Sequence, residues 1–140
     1  MPKLLRVLIA IIPALLPAAG AADPNAAAQS VVIQVSDDDP RKWHLVLNNA
    51  ENIQHSIGRD RVMIEIVAYG PGLAMLRLES VVGSRLNDAM AAGVAFKACR
   101  NTMRAEGIGE RDLFPRVGFV DSGVLAIINR QTQGWSYLRP

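Results

Sequence analysis

The stretch Ser30–Pro40 reads SVVIQVSDDDP and contains the first clear structural signal of the chain. Its first six residues are mostly β-branched and apolar. Such near-continuous runs are typical of strands in a parallel sheet that is covered on both faces. The acidic run that follows places Asp39 where it can cap a helix beginning at Pro40. We therefore predict a strand followed directly by a helix.

The same alternation of strand and helix continues to the end of the chain. We predict further strands at 62–68, 94–99, 117–120 and 135–138. Apolar residues at helical spacing predict helices over about 40–57, 82–92, 101–106 and 122–133. Strands that alternate with helices imply right-handed crossovers and a mainly parallel sheet with helices on both sides. The predicted fold is therefore a three-layer α/β/α domain with a mainly parallel five-stranded sheet.

The N-terminal residues 1–22 have the features of an export signal that is cleaved. Lys3 and Arg6 precede an apolar run over residues 7–16, and small residues follow at an Ala19-Gly20-Ala21 site. The apolar run is too short to cross a bilayer as a permanent helix. We expect a periplasmic protein that has no membrane segment after cleavage, with a flexible N-terminus at 23–29 and one domain at 30–140.

The charge of the chain depends on this signal. The full chain has 15 Lys and Arg against 13 Asp and Glu. Two of the basic residues, Lys3 and Arg6, belong to the predicted signal, so the remaining chain is balanced. Because no basic stripe with interleaved aromatic residues remains, we expect no nucleic-acid partner.

Cys99 is the only cysteine, and it lies where the third predicted strand meets a short helix. A single cysteine cannot form an internal disulfide, so it is either buried and inert or a thiol kept for chemistry. A thiol at the start of a helix is favoured as the nucleophilic thiolate. Lys97, Arg100 and Arg104 could add to this effect. Dithiol exchange is excluded, and a cysteine–histidine dyad has little support because both histidines fall on the first helix.

Other candidate residues follow the predicted strands, where ligands bind in parallel α/β sheets. The Asp37–Asp39 run could bind a divalent cation or simply cap the next helix. The Gly70–Gly72 segment could approach an anion or form an ordinary turn. Glu65 interrupts an apolar strand, which indicates an edge position or a pairing across an oligomer interface. His44 and His55 are too far apart, at about 16 Å along a helix, to share a metal.

Several segments together resemble the DsrE/DsrF-like family of small α/β proteins. They are the first strand followed by a tryptophan-containing helix, the Ala68–Leu73 turn (AYGPGL), and the third strand ending at Cys99 with RNTMR after it. The helix that contains Gly123-Val124 and the C-terminal QGWSYLRP are similar to the exported branch of that family. The resemblance covers essentially the whole chain after the signal.

The resemblance implies assembly into trimers or hexamers, and a cysteine that carries sulfane sulfur as a persulfide. By position that cysteine is Cys99, with a sulfur donor or acceptor protein as its partner and at most a sulfurtransferase-like activity. No metal or cofactor is expected. Our candidate ligand-binding residues are Asp37, Tyr69, Gly70, Gly72, Asn101, Thr102 and Arg104.

Two alternative functions remain open from the sequence. One is a non-enzymatic homo-oligomeric module that binds a small ligand or a protein, with Cys99 as a structural core residue. In that case the Gly70–Gly72 turn and the Asp37–Asp39 run would line the ligand or subunit contact. The other, which we rank lower, is metal-dependent hydrolysis at the aspartate run.

Overall fold

The computed structural model describes residues 28–140. The predicted export signal at 1–22 and most of the predicted flexible N-terminus lie outside this range. Among the described residues, no helix combines the length and the apolar character needed to cross a membrane.

All five predicted strands and four predicted helices are found between residues 28 and 140. The strands are β1 (Gln29–Val35), β2 (Val62–Ala68), β3 (Ala95–Cys99), β4 (Gly118–Val120) and β5 (Ser136–Leu138). The helices are α1 (Pro40–Ile57), α2 (Gly83–Ala91), α3 (Arg100–Glu106) and α4 (Gly123–Thr132). Short 3₁₀ turns occupy Arg59–Arg61, Gly70–Leu76 and Glu110–Asp112.

The strands form one five-stranded sheet in the order β4-β3-β2-β1-β5. Every pairing between neighbouring strands is parallel, as helix crossovers require. The predicted α/β class and five-stranded sheet are therefore confirmed. Because all strands point the same way, the loops that follow β2, β3 and β4 meet at one edge of the sheet.

One face of the sheet, which we call the covered face, packs against α1 and α2. Side chains alternate along each strand, so Ile33, Ile66 and Phe96 all point to this face. They are at most 2% exposed and form the main core with Leu73 and Leu86. This face accounts for most of the apolar surface that the described chain buries.

The opposite face, which we call the α4 face, is covered by α4. Its buried apolar cluster consists of Val32, Val67 and Ile127. Met63 points to the same face at the start of β2 and is 56% exposed. The α4 face is therefore only partly covered in the described chain.

Glu65 also lies on the α4 face. Of the two expectations for this residue, an edge position is wrong, because β2 is the central strand. The expected pairing across an oligomer interface stays a prediction. Both carboxylate oxygens accept hydrogen bonds from Arg130 of α4, at 2.7 and 3.1 Å. Arg130 also stacks on the ring of Trp135, with its guanidinium carbon 4.4 Å from the ring centre. The buried carboxylate therefore ties the end of α4 to the middle of the sheet.

Candidate functional site around Cys99

Cys99 is the last residue of β3 and immediately precedes α3. Its side chain points to the α4 face and is 4% exposed. Since β3 lies between β2 and β4, the loops after all three strands surround the sulfur. The sequence placed Cys99 correctly at the carboxyl end of the third strand.

The sulfur of Cys99 lies directly under the first residue of α4. The backbone N–H of Gly123 donates a hydrogen bond to the sulfur, with the two atoms 3.2 Å apart. Ser122 caps the same helix by accepting a bond from the Leu125 N–H. The sulfur is also 3.9 Å from the carbonyl oxygen of Asp121. The start of α4 thus supplies a fixed donor to the thiol.

Thr102 supplies further donors from α3, and it is linked to the turn after β2. Burial by itself raises the pKa of the Cys99 thiol. Hydrogen bonds from the Thr102 N–H, the Gly123 N–H and the Thr102 hydroxyl outweigh burial and lower the pKa below its usual value. The Thr102 oxygen in turn accepts a bond from the N–H of Gly70, at 2.8 Å.

The Tyr69–Gly72 turn is held in place by close backbone contacts. The Tyr69 N–H donates to the carbonyl oxygen of Val35 at 3.1 Å. A Cβ at Gly72 would lie 2.3 Å from that same oxygen, so only glycine fits there. A Cβ at Gly123 would lie 2.8 Å from the Cβ of Tyr69. Tyr69 therefore packs beside the donor that binds the sulfur.

The basic residues near Cys99 in sequence are directed elsewhere. Arg104 donates to the side chain of Asn101, and Arg100 donates to Glu110 at 2.8 Å. The Lys97 ammonium lies over Gly118, where an added Cβ would be 2.7 Å from it. The lowered pKa of Cys99 therefore arises from uncharged hydrogen-bond donors and not from these cations.

The acidic run after β1 has a structural role in the described chain. The carboxylate of Asp39 caps α1 by accepting a bond from the Arg41 N–H at 2.9 Å. Asp37 accepts a bond from Lys42 at 2.9 Å, and this bond is the main cause of its lowered pKa. Among residues 28–140, no group of three His, Cys, Asp or Glu side chains is placed to hold a metal ion.

The predicted candidate residues thus separate into two groups. Tyr69 and Gly70 in the turn after β2, and Asn101 and Thr102 in the first turn of α3, lie around Cys99. The Asn101 N–H donates to the Asp121 carbonyl at 3.1 Å. Gly72 anchors the turn after β2, and Arg104 reaches the group through Asn101. Asp37 follows β1, two strands away from β3, and binds Lys42 and Arg139 instead.

The sequence analysis missed Gly123, the residue whose N–H contacts the sulfur. The only signal was its place directly after Asp121 and Ser122, which follow the fourth strand. That signal becomes informative only when β4 is known to pair with β3, because the pairing brings the two strand ends together. Strand order was not part of the prediction.

Comparison with solved structures gives a strong match. The chain is 38% identical to the protein of unknown function MTH1491 from Methanobacterium thermoautotrophicum, with a TM-score of 0.76. The match covers 80% of this chain and 99% of MTH1491.

Two more distant structures share the fold. BT1422 from Bacteroides thetaiotaomicron, a conserved protein of unknown function, is 15% identical with a TM-score of 0.64, and the match covers 80% of this chain and 95% of that one. The ychN protein from E. coli is 17% identical with a TM-score of 0.59, over 80% and 99% of the two chains. No family model and no curated protein matches the sequence.

Proposed function

We propose that this chain, a member of the DsrE-like family together with MTH1491, carries sulfane sulfur as a persulfide on Cys99. It would act as a sulfurtransferase-like carrier between a sulfur donor and an acceptor thiol. The observation that supports this role is the hydrogen-bonded sulfur of Cys99, whose pKa is lowered although the side chain is buried. A buried cysteine in an apolar core would have a raised pKa instead.

The proposed reaction consists of two sulfur transfers with no net oxidation. The Cys99 thiolate attacks the outer sulfur of a donor persulfide, and a new S–S bond forms at Cys99. The S–S bond of the donor breaks, and the donor leaves as a thiolate. In the second transfer an acceptor thiolate attacks the outer sulfur on Cys99, which returns to its thiolate form.

The residues around Cys99 have different proposed roles. Thr102 and the Gly123 N–H stabilise the negative charge on the resting thiolate. Asn101 and Arg104 lie on the exposed side of α3, where they can contact the incoming donor or acceptor. Tyr69 and the Gly70–Gly72 turn lie on the opposite side of Cys99, at the end of β2.

A second candidate function is a homo-oligomeric binding module with a structural cysteine. The low exposure of Cys99, at 4%, favours this function. The two candidates differ in one requirement, since a carrier must let a donor reach the sulfur. The partly covered α4 face and the exposed start of α3 are the routes by which a donor could approach.

The deciding experiment measures the intact mass of the protein after incubation with a small-molecule persulfide. We expect a gain of one sulfur atom that a reducing agent reverses and that Cys99→Ser abolishes. As a matched control, the cysteine is moved to the exposed position 84 in a Cys99→Ser, Ser84→Cys variant. The rate at which this ordinary surface thiol gains sulfur shows how much the surroundings of Cys99 accelerate sulfur uptake. No gain on the wild type, or an equal gain on Cys99→Ser, would exclude the carrier role.

We also propose that the transfer takes place in the periplasm, after removal of residues 1–22. The support is the sequence of that segment alone, with its charged start, apolar run and small residues. N-terminal sequencing of the protein recovered from cells tests this directly. We expect the mature chain to begin near residue 22 or 23, and an intact N-terminus in a cytosolic fraction would contradict it.

A further inference from the structure

A hollow lies between α1 and α2, on the side of the sheet opposite to Cys99. Its volume is about 310 Å³, at the small end of the range of about 300–1,000 Å³ that ligand pockets have. The floor is apolar, since the side chains of Leu47, Ala50 and Val94 line it and are at most 4% exposed. The hollow therefore suits a small organic molecule that has an apolar part.

Arg85 of α2 joins the two helices beside the hollow. Its guanidinium donates to the side chain of Asn48 in α1 at 2.8 Å and to the backbone carbonyl of His44 at 3.4 Å. The same guanidinium lies 3.7 Å from a carboxylate oxygen of Glu51. Because these contacts hold α1 beside α2, the hollow is formed before any ligand binds.

Gln54 lines the hollow and has an acceptor atom that the described chain does not use. Its side chain is 8% exposed, and Nε2 donates to the carbonyl oxygen of Ala92 at 2.8 Å. A side-chain amide also has a carbonyl oxygen that accepts. Within residues 28–140, Oε1 of Gln54 receives no hydrogen bond. Since polar atoms of buried side chains are nearly always paired, this oxygen calls for a donor from a ligand.

The rim of the hollow contains charges of both signs. Asp88 of α2 and Arg59, which follows α1, both line it and are exposed. In the part of the chain that the structure describes, neither has an ion-pair partner. Glu51, in contrast, is close to the Arg85 guanidinium. The rim therefore offers one free carboxylate and one free guanidinium beside an apolar floor.

We propose that this hollow binds a free α-amino acid with an apolar side chain, such as leucine. The ammonium group of the ligand donates to the Asp88 carboxylate and to Oε1 of Gln54, and its carboxylate accepts from the Arg59 guanidinium. The apolar side chain lies on the floor. A ligand with a single charge would leave one of the two rim groups unpaired. This binding is separate from sulfur transfer, because Cys99 faces the other side of the sheet.

Isothermal titration calorimetry of the wild-type protein with L-leucine tests the site. We expect one molecule to bind per chain at millimolar concentrations. Asp88→Asn and Arg59→Gln should each weaken binding about tenfold, because each removes a hydrogen bond between charged groups. Both side chains are exposed, so neither change should disturb the fold. The matched controls Asp38→Asn and Arg111→Gln remove exposed charges outside the hollow and should bind leucine as the wild type does.

Leucine analogues test which groups of the ligand are recognised. N-acetyl-leucine has no ammonium group, leucine amide has no carboxylate, and glycine has no apolar side chain. Each should bind more weakly than leucine. Equal binding of leucine amide would contradict a free amino acid as the ligand and would indicate the N-terminus of a peptide instead.

The remaining outcomes separate this site from the proposed sulfur carrier. The site is wrong if leucine does not bind to the wild type, or if Asp88→Asn and Arg59→Gln bind it as tightly as the wild type. Cys99→Ser should bind leucine normally. The calorimetric result can therefore hold or fail whatever the persulfide experiment shows.

Discussion

The two faces of the sheet differ in what they bury. The covered face packs Ile33, Ile66 and Phe96 against two helices and excludes water almost completely. The α4 face has three buried apolar residues, and beside them lie an ion pair and a hydrogen-bonded thiol. The comparison indicates that one face supplies most of the stability. Polar groups that are costly in an apolar core are accommodated on the other face.

Glu65 and Cys99, two buried polar groups on the α4 face, each have their own hydrogen-bond donors. Glu65 is 4% exposed, and Arg130 neutralises it with two hydrogen bonds. Cys99 receives its donors from the starts of two helices. Together with the buried side chain of Ile127, these polar contacts hold α4 against the sheet. The position of α4 in turn sets the position of the Gly123 N–H over the sulfur.

The largest effect is expected from truncating the covered face. Leu73 is fully buried in the main core, so Leu73→Ala should lower the free energy of unfolding by about 2–5 kcal/mol. Ile128 lies on α4 and is 51% exposed, so Ile128→Ala should change the free energy of unfolding by only about 0.5 kcal/mol. Urea denaturation of both variants measures the difference. Similar losses would mean that the outer side of α4 is buried in solution and that the two faces are not unequal.

A smaller effect is expected from the ion pair on the α4 face. Glu65→Gln removes the charge that Arg130 binds, and should cost about 1–3 kcal/mol because the partners lose charged hydrogen bonds. The control is Glu79→Gln, which breaks a pair with Arg77 in which the Glu79 side chain is 65% exposed. That change should cost less than about 1 kcal/mol. Hydrogen exchange of the α4 amides should accelerate in Glu65→Gln alone, and unchanged exchange would show that the pair does not anchor the helix.

The smallest effect is expected on the pH dependence of the free energy of unfolding, through the Cys99 thiol. The folded-state pKa of Cys99 is lowered, so the thiolate stabilises the folded protein above the pKa of the unfolded thiol, about 8.5. This contribution is lost as the pH falls through the lower folded-state value. The stability difference between wild type and Cys99→Ser should therefore favour the wild type more at pH 9.5 than at pH 6. Urea denaturation at both pH values measures it, and the opposite trend would indicate a raised pKa.

The sequence predicted the architecture because that information is local. Runs such as residues 30–35 reveal strands, and the placement of Asp39 before Pro40 marks the start of α1. The position of Cys99 between a strand and a helix could be predicted for the same reason. These features depend on neighbours in the chain and need no knowledge of the sheet order.

The rest of the site depends on contacts between distant segments. Gly123 reaches Cys99 only because β4 pairs with β3, and Glu65 meets Arg130 from 65 positions away in the chain. Asp37 was expected near the site because it follows a strand, but β1 is separated from β3 by β2. Strand order decides each of these cases, and the local pattern does not contain it.

The reactivity of Cys99 in the folded protein is the most direct measure of its role. We expect an excess of a small alkylating reagent to modify the native wild type at pH 7 faster than the protein unfolds. The rate should rise with a midpoint below the value of an unperturbed cysteine, about 8.5, because the donors around the sulfur favour the thiolate. Modification that occurs only at the rate of global unfolding would show that Cys99 is an inert core residue.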